Sequence, residues 1–66
     1  MITVIVPREV LIRLPPGPHW LEGYVLDSLR RQGAPVKGLF NPRLERGTIT
    51  RTERFDTDEV VFTWTE

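Results

Sequence analysis

The sequence predicts an α+β domain in which a single amphipathic helix packs on a small antiparallel β-sheet, in the order β(β)-α-β-β. Three observations predict it: an alternating apolar segment at the amino end, a central helix with start and stop signals, and two strand-like segments around an acidic turn. The 66 residues fit a single domain, 1–66. Such a short chain buries only about 60% of its unfolded surface, so we expect a thin core and marginal stability.

The amino-terminal segment alternates with a period of two, which is typical of a half-buried strand. Pro7 interrupts this alternation, and because proline cannot donate a ladder hydrogen bond it belongs at an edge, a bulge or a turn. Two alternatives stay open: one long strand with a bulge at Pro7, or two short strands joined by a tight loop. The apolar positions are Ile2, Val4, Val6, Val10, Ile12 and Leu14.

The central segment predicts a helix from about Pro18 to Gln32. Pro18 suits the first helical position, where its missing N–H has no partner in any case. Gly33 and Pro35 follow the helix as stop signals. One half of the helical wheel is apolar and is predicted to face the sheet; it carries Trp20, Leu21, Tyr24, Val25 and Leu29.

The carboxyl-terminal segment predicts a β-hairpin, because residues 48–55 and 60–65 are rich in β-branched and aromatic side chains. A two-residue turn at Thr57 and Asp58 sets the register, and a four-residue loop with the same register is the alternative. The predicted cross-strand pairs are Phe55 with Val60, Glu53 with Phe62, Arg51 with Trp64, and Thr52 with Thr63.

Between the helix and the hairpin, Ala34 to Leu44 predicts a loop, since Gly38 and Pro42 break every pattern there. Apolar side chains are expected to pin this loop to the domain: Val36, Leu39, Phe40 and Leu44. The predicted core of the whole domain is Val4, Val6, Ile12, Trp20, Leu21, Val25, Leu29, Phe55, Val60, Phe62 and Trp64.

The residues that carry catalysis are scarce. The single histidine, His19, lies nine residues from the nearest serine, Ser28, which is about 13 Å along a helix. The acidic turn from Asp56 to Glu59 lacks the glycine and the later ligands of a calcium loop. We therefore predict no enzymatic activity, no catalytic residue, no metal site and no cofactor, unless an oligomer builds a site around His19 between chains.

Composition limits the compartment and the stabilising chemistry. The chain is 39% hydrophobic and 27% charged, which is in the globular range, and without cysteine it forms no disulfide. The apolar run at the amino end is too short for a secretory signal or a membrane span, which predicts a cytoplasmic protein without a membrane partner. Compact chains of this kind are typical of phages and other mobile elements.

Two helical residues do not fit a purely structural role. Gly23 costs roughly 1 kcal/mol relative to alanine inside a helix, and Leu26 falls outside the apolar half-wheel. The hypothesis is that Gly23, Leu26 and Arg30 form a second contact surface, for a copy of the same chain or for another protein. The alternative is that the loop of residues 34–44 folds over Leu26.

Charge suggests a different partner. The formal net charge is zero, yet basic residues concentrate between Arg30 and Arg54. A nucleic-acid-binding hairpin using Arg43, Arg46, Arg51 and Arg54 is therefore the alternative function. The leading prediction is a small non-enzymatic binding protein that acts by docking on another protein or by self-association, with free sheet edges and a thin core in its favour.

Overall fold

The computed structural model describes residues 1–38 and 40–66, apart from the side chain of Pro18. Its elements are β1 (Ile2–Val6), α1 (Arg8–Arg13), α2 (Pro18–Arg31), β2 (Val36–Lys37), β3 (Arg43–Leu44), β4 (Thr48–Arg54) and β5 (Glu59–Thr65). One antiparallel sheet has the order β1-β5-β4, and β2 and β3 form a separate two-stranded ribbon. The predicted α+β architecture, with one main helix and a small antiparallel sheet, is confirmed.

The core lies between α2 and the inner face of the sheet. In β1, Val4 pairs with Phe62 and Val6 pairs with Val60, so the even-numbered residues of both strands share that face. The side chains buried together are Val4, Val6, Val25, Leu26, Leu29, Ala34 and Trp64. No charged or polar residue is buried among the described residues, so apolar contact holds these two layers together.

Residues 8–13 correct the first prediction, because they form the helix α1 and not a strand. The amides of Val10 and Leu11 both donate to the Pro7 carbonyl, at 3.0 and 3.1 Å. Val10 and Leu11 pack against the core, whereas Ile12 is 73% exposed. The alternation that predicted a strand left out Leu11. In the helix Leu11 lies about 100° from Val10, so both can pack against the core, whereas Ile12 lies about 200° from Val10 and faces solvent.

The hairpin of β4 and β5 forms as predicted, but its register differs by two residues. Arg54 pairs with Glu59, so Phe55 to Asp58 form a four-residue turn that ends in the left-handed conformation of Asp58 (φ 54°). A two-residue turn would need positive φ values at the β-branched Thr57, which is unfavourable. The observed pairs include Arg51 with Phe62, Glu53 with Val60 and Thr50 with Thr63.

The core prediction is wrong at three aromatic and aliphatic positions. Ile12, Trp20 and Phe55 are exposed, the last because it has left the strand for the turn. Trp20 precedes Val25 by five residues, which places it about 140° around the helix from the buried side. Leu21 and Phe62 are partly buried against the core. The residues that the prediction missed are Leu26, Ala34 and Val61.

The segment predicted as a loop after the helix contains the ribbon of β2 and β3, in which Val36 pairs with Leu44. Both side chains pack against the core, as expected of anchors. Phe40 is not an anchor, because it is fully exposed, and Leu39 lies outside the described residues. In the described part of the chain, neither helix has the length and hydropathy needed to cross a bilayer.

Candidate functional site

A groove of about 460 Å³ runs along the outer face of α2, beside the ribbon of β2 and β3. Trp20 and Tyr24, one helical turn apart, form its helix side, and Pro42 belongs to the opposite wall. Trp20 is 56% exposed and Tyr24 is 36% exposed, so both rings are accessible from solvent. We call this surface, with its lining residues, the aromatic groove.

The floor of the aromatic groove is open because Gly23 has no side chain. A Cβ atom built on Gly23 would meet nothing within 4 Å, so no packing constraint inside the monomer requires glycine there. Glycine in a helix interior lowers stability by about 1 kcal/mol relative to alanine. An open floor of this kind lets an approaching side chain reach the helix backbone.

Phe40 lies at the tip of the ribbon, between Gly38 and Pro42, which both line the aromatic groove. Its side chain is fully exposed. Phe40 therefore adds a fully exposed aromatic ring to the segment that joins two lining residues of the aromatic groove. Trp20 and Tyr24 expose adjacent aromatic surface along the groove, and clustered exposed apolar surface is typical of interaction sites.

Ion pairs neutralise the charged end of the aromatic groove. The carboxylate of Asp27 accepts from Arg30 at 3.0 Å and lies 3.0 Å from Arg31, one turn along α2. These pairs are exposed, so they add little to stability. Their consequence is local: the groove presents apolar and aromatic surface with no uncompensated carboxylate.

The structure separates the three residues predicted to bind a partner. Gly23 and Arg30 line the aromatic groove, which puts them on an accessible surface. Leu26 is only 3% exposed and belongs to the core cluster, so its predicted exposure is wrong. This agrees with the alternative raised from the sequence, because Leu44 of the following segment packs against the core cluster that contains Leu26.

Sequence reasoning missed the aromatic members of this surface. The helical wheel places both Trp20 and Tyr24 on the face toward the sheet, and Trp20 in the core, because it ranks them as apolar without showing how wide a stripe the sheet covers. The available signal was the width of that stripe, since an apolar half-wheel is wider than the roughly 100° stripe that is enough to face a core. Phe40 gave only a weak signal, as an aromatic ring between turn-forming residues.

The four arginines predicted for nucleic acid differ in their ion pairs and in their positions on the fold. Arg46 pairs with Glu66 at 2.7 Å, and Arg51 pairs with Glu53 at 3.0 Å. Strand alternation puts Arg51 on the sheet face toward α2 and Arg54 on the opposite face. Arg51 also lies over the ring of Phe62 at 6.0 Å, not over Trp64 as the predicted register implied. Arg43 lies near Arg51 on a second cavity.

The acidic turn is occupied by a structural contact. Asp58 accepts a hydrogen bond from Arg8 of α1 at 3.1 Å, which ties the turn to the amino-terminal half of the domain. Within residues 1–38 and 40–66, no group of three or more acidic or histidine side chains is placed to hold a metal ion. That the chain is not an enzyme stays a prediction.

Comparison with known proteins adds no functional assignment. No family model matches the chain, and no curated protein or solved structure matches it. A functional proposal for this domain therefore rests on the geometry of its own described residues.

Proposed function

We propose that this chain is a small non-enzymatic binding domain that associates with a second copy of itself through the aromatic groove. One observation carries the proposal: Trp20 and Tyr24 are exposed along the groove, whose floor is open at Gly23. Phe40, which is fully exposed, lies in the segment between two further groove residues, Gly38 and Pro42. Aromatic residues at the centre of an interface contribute a large share of binding energy.

The exposure of these rings is unexpected for a domain with so little core. Small aliphatic side chains fill the buried cluster, and Trp64 is its one aromatic member. Leaving the rings of Trp20 and Phe40 in water forgoes apolar burial, which contributes about 25 cal/mol per Å². A partner that covers them recovers this free energy, which supports an interface on this face.

The shape of the face favours a second copy as the occupant. A two-fold interface needs a self-complementary surface, in which a protrusion and a recess lie side by side. Phe40 is the protrusion and the aromatic groove is the recess. In a two-fold dimer, Phe40 of each copy enters the groove of the other and reaches the floor at Gly23.

The charge of the chain permits this association. Nine basic and nine acidic residues give a formal net charge of zero, so two copies do not repel each other at long range. Association also replaces the stabilisation that small secreted domains obtain from disulfides, which this cysteine-free chain lacks. Because disulfides are typical of secreted small domains, a dimer that does without them fits the cytoplasm.

Sedimentation equilibrium of matched variants tests the proposal. The chain offers two exposed phenylalanines in turns, Phe40 beside the groove and Phe55 in the β4–β5 turn. Phe40→Ser removes the protrusion, and Phe55→Ser is the control for loss of an exposed ring elsewhere. Loading concentrations from about 10 μM to about 1 mM cover association free energies of about −7 to −4 kcal/mol.

We expect the wild-type protein and Phe55→Ser to dimerise with the same dissociation constant. Phe40→Ser should weaken the dimer at least about tenfold, as loss of a central aromatic contact does. Far-UV circular dichroism should show that both variants keep the fold. A wild-type protein that stays monomeric at the highest concentration contradicts the proposal, as does an equal loss in both variants.

A further inference from the structure

A second cavity, of about 350 Å³, lies between α2, β3 and β4 and shares no lining residue with the aromatic groove. Its walls are apolar and include Leu21, Leu26, Leu44, Ile49 and Phe62. These side chains are buried or partly buried, and they continue from the core cluster. We call this space the aliphatic cavity; its size falls within the range of small-molecule pockets.

The exposed lining residues of the aliphatic cavity are charged. Arg43 and Arg51 contribute two guanidinium groups and Glu22 contributes one carboxylate. Glu53 accepts one hydrogen bond from Arg51, which leaves other N–H donors of that guanidinium free. Arg43 makes no ion pair within 4.0 Å to any described residue.

We propose that the aliphatic cavity binds a medium-length aliphatic monocarboxylate. The hydrocarbon chain lies against the walls at Leu26, Leu44 and Phe62, and the carboxylate accepts hydrogen bonds from Arg43 and Arg51. Guanidinium and carboxylate groups match in geometry as well as in charge. The guanidinium of Arg43, which has no ion pair among the described residues, suits a monoanion, and mostly aliphatic walls suit a flexible saturated chain.

The apolar chain and the carboxylate should each contribute a measurable share of the affinity. Each methylene group that enters the cavity should strengthen binding about fourfold. A charge-assisted hydrogen bond to a carboxylate should add about tenfold over an uncharged oxygen. The ligand should therefore need both parts, an apolar chain and an anionic head.

Calorimetric titration of the wild-type protein with sodium decanoate, below its micelle concentration, tests the proposal. Decanol carries the same chain without the charge, and hexanoate carries the same charge on a shorter chain. Arg43→Gln removes one proposed contact. Arg54→Gln is the matched control, because Arg54 lies on the other face of β4.

We expect saturable binding of decanoate, with decanol and hexanoate each at least about tenfold weaker. Arg43→Gln should lower the decanoate affinity about tenfold, and Arg54→Gln should leave it unchanged. Absence of saturable binding overturns the proposal. So does equal affinity for decanol, which would make the arginines irrelevant, or an equal loss in Arg43→Gln and Arg54→Gln.

Discussion

The indole of Trp64 is held at the end of β5 by its neighbours across the sheet. Its Nε1 donates a hydrogen bond to the carbonyl oxygen of Arg46 at 2.9 Å. Gly47, the next residue, has a φ of +87°, and a Cβ atom built there would overlap the indole nitrogen. Trp64 therefore reaches the core only because residue 47 has no side chain.

Gly47→Ala should lower the free energy of unfolding by about 2 kcal/mol or more, because the left-handed conformation and the overlap with Trp64 both oppose a side chain. Gly23→Ala is the control, since its Cβ meets open space in a helix and should raise stability by about 0.5–1 kcal/mol. Urea unfolding at low protein concentration, followed by circular dichroism, measures both. Equal effects of the two substitutions would contradict this account of Gly47.

At the level of single residues, the sequence predicted the centre of the core better than its boundary. Val25 and Leu29 are buried as predicted, because they lie at the middle of the apolar stripe. The predictions for Leu26 and Trp20 are both wrong: Leu26 is buried although it was predicted to be exposed, and Trp20 is exposed although it was predicted to be buried. The helical wheel gives an angle for each side chain. Burial at the edges of the apolar stripe depends on where Leu44 and the ribbon pack, and the sequence does not show this tertiary packing.

At the level of elements, the six residues of α1 show how a short apolar run misleads. Val10 and Ile12 share a face in a strand with Leu11 on the other, whereas in a helix Ile12 lies about 200° around the axis from Val10 and Leu11 only about 100°. The structure has the helix, with Leu11 against the core and Ile12 in solvent. Arg8 of the same helix pairs with Asp58 at 3.1 Å, which places α1 beside the β4–β5 turn.

Two substitutions in α1 distinguish these alternatives. Leu11→Ala should lower the free energy of unfolding by about 1–2 kcal/mol, since the side chain is partly buried. Ile12→Lys should change it by less than about 0.5 kcal/mol, as is usual for a surface position. Urea unfolding measures both. A strand would give the opposite order, with Ile12→Lys more destabilising than Leu11→Ala. That result would contradict a helix at residues 8–13.

The long helix and the hairpin were predictable because each carries several independent signals. α2 begins at Pro18 as predicted and ends at Arg31, one residue before the expected end. The register of β4 and β5 was not predictable, because the turn lacks glycine and its length alone decides which residues pair. A shift of two residues keeps each side chain on its face, so Phe62 still faces α2.

At the scale of the whole molecule, the charges are neutralised locally. Six of the nine basic side chains lie within 3.1 Å of a carboxylate oxygen. Much of the positive charge between Arg30 and Arg54 is therefore paired with carboxylates, although Arg43 and Arg54 make no ion pair with a described residue. The order of charges along the sequence did not predict these ion pairs, because pairs such as Arg46 with Glu66 join residues twenty positions apart.

This distribution predicts weak binding to polyanions. Nucleic-acid binding, specific or non-specific, depends on several basic side chains that are free to contact phosphates. The wild-type protein should therefore leave a heparin column at or below about 50 mM salt. Glu53→Gln with Glu66→Gln removes the carboxylates bound to Arg51 and Arg46, so this double variant should elute at higher salt. Retention of the wild-type protein that persists to about 200 mM salt would contradict local neutralisation and would favour the nucleic-acid alternative over self-association.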